Sequence, residues 1–324
     1  MKVVITRKLP DESLRDLREN YDVVIWEEEN VPMPHDLLLK EIGDAHGLLT
    51  NVSDRIDKDV LEQAHHLKVI STMAVGYDNI DAEEATRRGI PVGHTPGVLS
   101  EAVADLTFAL LMATARRVVE GMDYIRAGNW QSWGPMLLTG QNIYGTTIGI
   151  IGMGRIGQAV AKRASGFNMN ILYHNRNRKE EAERELGAQY CTMDELLRRS
   201  DYVVLLAPST PETYHMIGSR EFSLMKPNAV FINTSRGTNV DEEALYEALK
   251  SGQIWAAGLD VFEKEPISAD HPLLTLDNVI VLPHIGSANI ETRLKMADIA
   301  VQNLMLGLQG KPLLHAINPQ VTAR

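Results

Sequence analysis

Only one cysteine, Cys191, occurs among the 324 residues, so no disulfide can close within the chain and no thiolate cluster can hold a metal. Long apolar runs are missing too. No stretch approaches the roughly 20 residues that span a bilayer, and Val3-Val4-Ile5 is cut off by Lys8 and Pro10 too early for a signal peptide. The expected address is the cytoplasm, with no membrane contact. Positive charge is also short: 32 Lys and Arg stand against 43 Asp and Glu, a net charge of −11. That balance argues against a nucleic-acid surface, and it leaves the capture of any small anion to a local cluster of cations. No internal repeat and no low-complexity tract is present.

The remainder is the composition of an ordinary globular protein, 44% hydrophobic and 23% charged, and the length suits two domains. Short apolar runs alternate with helical segments. Val3 to Ile5, Tyr21 to Trp26, Gly47 to Thr50 and Leu67 to Thr72 read as strands, with helices over Pro10 to Asn20 and Asp57 to His66. A second series begins at Thr147. It has strands at Thr147 to Ile151, Ile171 to His174, Tyr202 to Leu206, Val230 to Asn233, Ala256 to Val261 and Val279 to Leu282. Helices at Arg155 to Gly166, Lys179 to Leu186 and Glu242 to Ser251 fall between them. The pattern predicts an α/β protein with two parallel sheets, each covered on both faces. Between the series, Ser100 to Ala127 reads as one long apolar helix. The segment Gly128 to Tyr144, with Trp130, Trp133 and Pro135, has little periodicity and reads as a functional arm or a subunit contact.

The strongest motif is Gly152-Met-Gly154-Arg155-Ile156-Gly157, directly after a strand and directly before a helix. This is the context a dinucleotide site requires. Gly152 allows the tight turn, Gly154 lets backbone approach a pyrophosphate, and Gly157 lets helix and strand pack closely, with the helix N-terminus facing the phosphates. An acidic residue about 20 positions on would bind the ribose hydroxyls of NAD. Asn175 stands there instead, followed by Arg176, Arg178 and Lys179. A guanidinium at this point can pair with a 2′-phosphate, so NADPH is the expected cofactor, with NADH still usable.

Three further residues sit at strand ends, where an open α/β sheet places its ligands. They are Arg236 in Asn233-Thr-Ser-Arg-Gly237, Glu265 in Gly258-Leu-Asp-Val-Phe-Glu-Lys-Glu-Pro266, and His284 in Pro283-His-Ile-Gly-Ser287. Reducing a carbonyl beside a carboxylate needs a cation for the carboxylate, a proton donor at the nascent alkoxide, and a group that keeps the donor charged. Arginine, histidine and glutamate fit those roles in that order.

These four motifs, in this order and spacing, resemble the D-isomer-specific 2-hydroxyacid dehydrogenases, most nearly the glyoxylate/hydroxypyruvate reductases and bacterial 2-ketogluconate reductases. The likeness extends to Gly47-Leu-Leu-Thr, Ser71-Thr-Met-Ala-Val-Gly-Tyr-Asp78, Thr114-Ala-Arg-Arg117 and Asn318-Pro319. The resemblance implies two Rossmann-like domains. A flavodoxin-like substrate domain would comprise residues 1–99 plus 290–324, and a dinucleotide-binding domain residues 100–289. The two would close on a hinge. It implies that Arg236 binds the substrate carboxylate and carbonyl, that Glu265 pairs with His284, and that His284 is the acid–base group. Backbone at Val75 and Gly76 would hold the carboxylate. Asp260 would sit by the nicotinamide carboxamide, and Pro208, Ser209, Thr234 and Gly286 would line the cofactor. A homodimer through the cofactor domains and the arm is implied as well. Some relatives carry a third arm tryptophan that limits substrate size. Here the arm continues Gly134-Pro-Met-Leu137-Leu, which implies a roomier pocket for sugar-derived keto acids such as 2-ketogluconate, beside glyoxylate and hydroxypyruvate.

Other readings are narrower. Formate dehydrogenases share the fold but have Gln where Glu265 stands. Phosphoglycerate dehydrogenases generally prefer NAD and often carry a regulatory domain beyond the point where this chain ends at Arg324. A nucleotide-sensing corepressor can keep all three polar residues but carries extended tails. No metal is expected: His65 and His66 diverge on a helix, and His94, His215 and His271 lack ligand spacing. Residues 179–185 read as a solvated helix face.

Overall fold

The computed structural model describes residues 1–321; the last part of the C-terminal segment assigned above to the substrate domain, 322–324, lies outside the described residues. The chain divides into two compact units, Met1–Leu99 with the segment from Ala288, and Ser100–Ser287.

The first unit opens β1 (Lys2–Ile5), α1 (Asp11–Asn20), β2 (Asp22–Ile25), α2 (His35–Ile42), β3 (Gly47–Thr50), α3 (Lys58–Gln63), β4 (Val69–Thr72), α4 (Ala82–Arg87) and β5 (Val92–Gly93). The strands are all parallel in the order β2-β1-β3-β4-β5, the flavodoxin-like order. β3 and β4 are buried along their whole length, which is why they read as continuous apolar runs and not as alternation. Asp57 and Asp81 start α3 and α4 by accepting the N–H of Val60 and Glu84, satisfying donors a helix N-terminus leaves free.

The second unit runs α5 (Ser100–Ala115), α6 (Val118–Arg126), β6 (Thr147–Ile151), α7 (Arg155–Gly166), β7 (Asn170–His174), α8 (Glu180–Leu186), β8 (Gln189–Tyr190), α9 (Met193–Arg199), β9 (Tyr202–Leu205), α10 (Ser219–Leu224), β10 (Val230–Asn233), α11 (Glu242–Lys250), β11 (Ala256–Leu259) and β12 (Val279–Val281). Seven parallel strands lie in the order β12-β11-β10-β9-β6-β7-β8. The order reverses between β6 and β9, and a ligand crevice opens at the carboxyl ends of strands at such a point. Apolar clusters cover both faces: Leu205, Phe222, Phe231 and Leu245 on one, Leu111, Ile150, Val160 and Tyr173 on the other. The chain then returns to the first unit as α12 (Ile290–Leu308), begun by Asn289, which accepts the Thr292 N–H. Ala300, Leu304 and Leu308 pack there with Val3, Ile5, Leu49 and Val69.

One expectation is corrected. The single helix Ser100 to Ala127 is two, because Arg117 adopts a left-handed backbone, φ 53°. The Ala115 carbonyl, which a continuous helix would give to residue 119, instead accepts the N–H of Gln141 at 2.8 Å, so the end of the arm interrupts the helical ladder. Among the described residues, no helix is long and apolar enough to cross a membrane.

Candidate active site

β6 ends in the glycine turn. Gly152 has φ +104°, and a Cβ there would lie 2.7 Å from the Leu206 carbonyl, so only glycine lets the turn pass the end of β9. A Cβ at Gly154 would meet nothing within 4 Å; the space over this residue is open to a ligand. Gly154 is also the N-cap of α7, with no side-chain cap. Arg155 and Ile156 therefore open a helix whose first N–H groups and positive dipole end remain available to an anion. These features fit a dinucleotide pyrophosphate.

At the end of β7 the two basic candidates separate. Arg178 closes its fork on Glu183, with Nε and Nη2 donating at 2.7 and 2.6 Å, and Tyr173 donates its hydroxyl to the same carboxylate at 2.7 Å. Arg178 first, then Tyr173, hold the Glu183 carboxyl down at about 2. Glu183 thus anchors a charged network on a segment read above as merely solvated, and Arg178 is committed to it. Arg176 stays exposed, and its charge helps to lower the carboxyl of Glu212, on which the Thr210 hydroxyl acts more strongly. Asn175 donates to the Asn177 carbonyl at 2.8 Å and shapes the turn between them.

After β10, Asn233 builds the loop that presents Arg236. Its Oδ1 accepts the N–H and hydroxyl of Ser235 at 3.0 and 2.8 Å, and its Nδ2 donates to the Arg236 carbonyl at 3.0 Å. Asn239 donates to the Ala207 carbonyl at 2.9 Å, tying this loop to the exit of β9 beside Pro208, and Ser209 bonds Thr238 at 3.0 Å. A Cβ on Gly237 would fall 1.7 Å from the carbonyl carbon of Phe262. The missing side chain lets the Arg236 loop lie directly against the loop that carries Glu265. Thr234 bonds Thr107 of α5 at 2.7 Å.

The imidazole and the carboxylate meet. His284 Nδ1 lies 2.7 Å from Glu265 Oε2, and Glu265 Oε1 accepts the Phe262 N–H at 2.9 Å. Burial pushes the Glu265 carboxyl up, but the bond to His284, that ring's charge, the Phe262 N–H and Arg236 outweigh it and leave it below the usual carboxylate range. Arg236 therefore acts on the same carboxylate as the imidazole.

His284 itself has φ 54°, a conformation that a non-glycine residue adopts only where its surroundings impose it. Asp260 supplies the constraint. Its two oxygens accept the N–H groups of Ile285 and Gly286 at 2.8 and 2.7 Å, the two residues after His284. Burial raises the Asp260 carboxyl, and those N–H groups and the His284 charge only partly offset it. The sequence points to Asp260 only as a neighbour of the cofactor, not as this clamp, and to the Asn233 scaffold not at all; an Asn or Asp at a strand end gives no sign of which backbone it will hold.

In the first unit, Val75 and Gly76 follow β4 and are half-buried. Among the described residues their N–H groups make no hydrogen bond. No three His, Cys, Asp or Glu side chains among the described residues are grouped to hold a metal ion.

Comparison with known proteins adds the ancestry. Residues 108–286 match the family model described as D-isomer specific 2-hydroxyacid dehydrogenase, NAD binding domain. The glyoxylate reductase of Thermococcus litoralis is 49% identical over 324 residues, covering 99% of this chain and 97% of that one. A crystal structure of a Thermus thermophilus protein superposes with a TM-score of 0.91 at 47% identity, over 98% of this chain and 100% of the other. The NADPH-dependent glyoxylate/hydroxypyruvate reductase of Sinorhizobium meliloti, solved with NADP and malonate, gives 0.86 at 32% identity over 100% and 98% of the two chains.

Proposed function

Because the chain belongs to the D-isomer-specific 2-hydroxyacid dehydrogenase family, we propose that it uses NADPH to reduce glyoxylate, hydroxypyruvate and 2-ketogluconate to D-2-hydroxy acids. The observation that carries this reading is the 2.7 Å pair of His284 with Glu265, on a carboxylate that also feels Arg236. The reduced nicotinamide, when bound, supplies the hydride.

The protein's own groups do the rest. The turn Gly152 to Gly157 and the start of α7 hold the pyrophosphate, and Arg176 meets the 2′-phosphate. Asp260, Gly286, Pro208 and Thr234 shape the nicotinamide end. Arg236 binds the carboxylate of the keto acid and polarises its carbonyl, and backbone N–H groups of Val75 and Gly76 also serve the carboxylate. With Nδ1 of His284 taken by Glu265, its Nε2 is the atom that delivers a proton to the carbonyl oxygen as that oxygen becomes an alkoxide.

The test is a panel of the three keto acids with NADPH and NADH, run on the purified protein and on two arginine variants. Arg176→Ala should raise the KM for NADPH about 10- to 100-fold, the loss of a charge-assisted pair, and leave that for NADH unchanged. Arg178→Ala should lower the melting temperature with a much smaller effect on cofactor choice. Absence of turnover with every keto acid would end the reductase reading, and an unaltered NADPH preference in Arg176→Ala would end the assignment of the 2′-phosphate.

The active form is a homodimer. Support comes from α6, on which no residue is buried and Val118, Met122 and Ile125 form an i, i+4, i+7 stripe, 56%, 44% and 58% exposed. Trp130, Trp133 and Met136 of the arm are exposed as well. A helix stripe of this kind needs a partner. Light scattering should give twice the chain mass of 36.0 kDa, and Val118→Glu with Ile125→Glu should halve it. A wild-type monomer at micromolar concentration would refute the assignment.

A further inference from the structure

The carboxyl end of β4 is held by a residue the proposed chemistry does not use. His94 follows β5, and its backbone is fixed on both sides. Its N–H donates to the His315 carbonyl at 3.1 Å, and its carbonyl accepts Asn303 Nδ2 at 3.0 Å. Asn303, fully buried, also accepts the His315 N–H at 3.2 Å. The next residue, Thr95, donates to the Ala74 carbonyl at 2.8 Å. The His94 ring thus projects from a rigid base beside the turn after β4. There its Nδ1 lies 3.0 Å from the Val75 carbonyl oxygen, and the Tyr77 ring meets it edge-on with centroids 6.0 Å apart.

A carbonyl oxygen only accepts, so Nδ1 carries the proton and donates. The peptide that joins Val75 to Gly76 is planar, and in a trans peptide the N–H points opposite to the C=O. A donor that fixes the Val75 carbonyl on one side therefore fixes the direction of the Gly76 N–H on the other. That N–H has no partner among the described residues.

We propose that His94 is a positioning residue for keto-acid binding: its Nδ1–H locks the Val75–Gly76 peptide so that the Gly76 N–H is aimed at the substrate carboxylate. The inference rests on the proposed carboxylate role of Val75 and Gly76. It predicts that the position needs a donor at the place of Nδ1, not an imidazole as such. Asparagine puts its amide nitrogen close to that place, whereas glutamine puts it near Nε2 and misses the carbonyl.

The experiment is steady-state kinetics on the full chain with glyoxylate and saturating NADPH, for His94→Asn, His94→Gln, His94→Ala and Gly76→Pro. His94→Ala and His94→Gln should raise the KM for glyoxylate about 10-fold, the loss of one oriented hydrogen bond to a charged group, with kcat and the KM for NADPH within twofold. His94→Asn should keep the parental KM. Gly76→Pro, which deletes the donor, should raise the KM at least as much. If Gly76→Pro raises the KM and His94→Ala does not, the role of His94 is wrong and the carboxylate role of the turn stands. If neither changes it, the turn does not bind the carboxylate and both readings fall. Should His94→Ala fail to fold, equal KM values for the Asn and Gln variants would overturn the inference by themselves.

Discussion

His284→Gln is expected to lower kcat for glyoxylate reduction by about 10²- to 10⁴-fold, the usual worth of a positioned general acid, and to leave the KM for NADPH within twofold. Glutamine keeps a polar side chain beside Glu265 but has no proton to give near neutral pH. The backbone at residue 284 is already held at φ 54° by the Asp260 clamp on the next two N–H groups, so the variant should fold with the loop in place. Parental kcat in this variant would remove His284 from the chemistry. The pH dependence follows from its neighbours. Glu265 is held below the usual carboxylate range, so its charge persists on acidification and is lost only as the pH falls through that lowered value. The stability it contributes is present above its unfolded value and goes over the same acid window. Asp260 has the opposite sign. Its raised carboxyl favours the fold at low pH, and that contribution is lost as the pH rises through its folded value.

Much of this was legible because it rests on local chemistry. The strand Thr147 to Ile151, the glycine turn and the helix Arg155 to Gly166 are found as read, since strand burial, the Gly152 turn and the start of α7 are fixed within a few residues. What was not legible depends on partners distant in sequence. Nothing in Ser100 to Ala127 announces a break. It comes from the Gln141 N–H, which takes the Ala115 carbonyl, and from an arginine in the left-handed region, where sequence leads one to expect Gly or Asn. Likewise Arg176 and Arg178 are equivalent in sequence, and the position of Glu183 one helical turn into α8 distinguishes them. The strain at His284 was hidden for the same reason: the residue that imposes it is Asp260, at the end of another strand. Propensity sees a residue's own preferences, and tertiary contacts overrule them where a site is being built.

Arg236→Ala should cost about 10³-fold in kcat/KM for every keto acid while cofactor binding, followed by NADPH fluorescence, is unchanged. A half-buried guanidinium that meets both the carboxylate and the carbonyl makes two charge-assisted contacts, each worth about 1.5–3 kcal/mol, and about 4 kcal/mol corresponds to the thousandfold loss. Arg236→Lys should recover less than a tenth of that loss. A lysine offers one point charge where the planar fork makes two directed bonds, and the loop leaves little freedom to adjust. Asn233 grips the Arg236 carbonyl, and Gly237 lies against the Phe262 backbone too closely for any side chain, so the α-carbon cannot shift to suit a shorter reach. The same closeness brings the Arg236 charge onto Glu265. Loss of that charge in the alanine variant should then weaken the hold on the Glu265 carboxylate and move the acid limb of kcat/KM to higher pH. A lysine variant with parental kcat/KM would show that only the charge at this position matters, and a fall in NADPH affinity would show that Arg236 serves the cofactor instead of the keto acid.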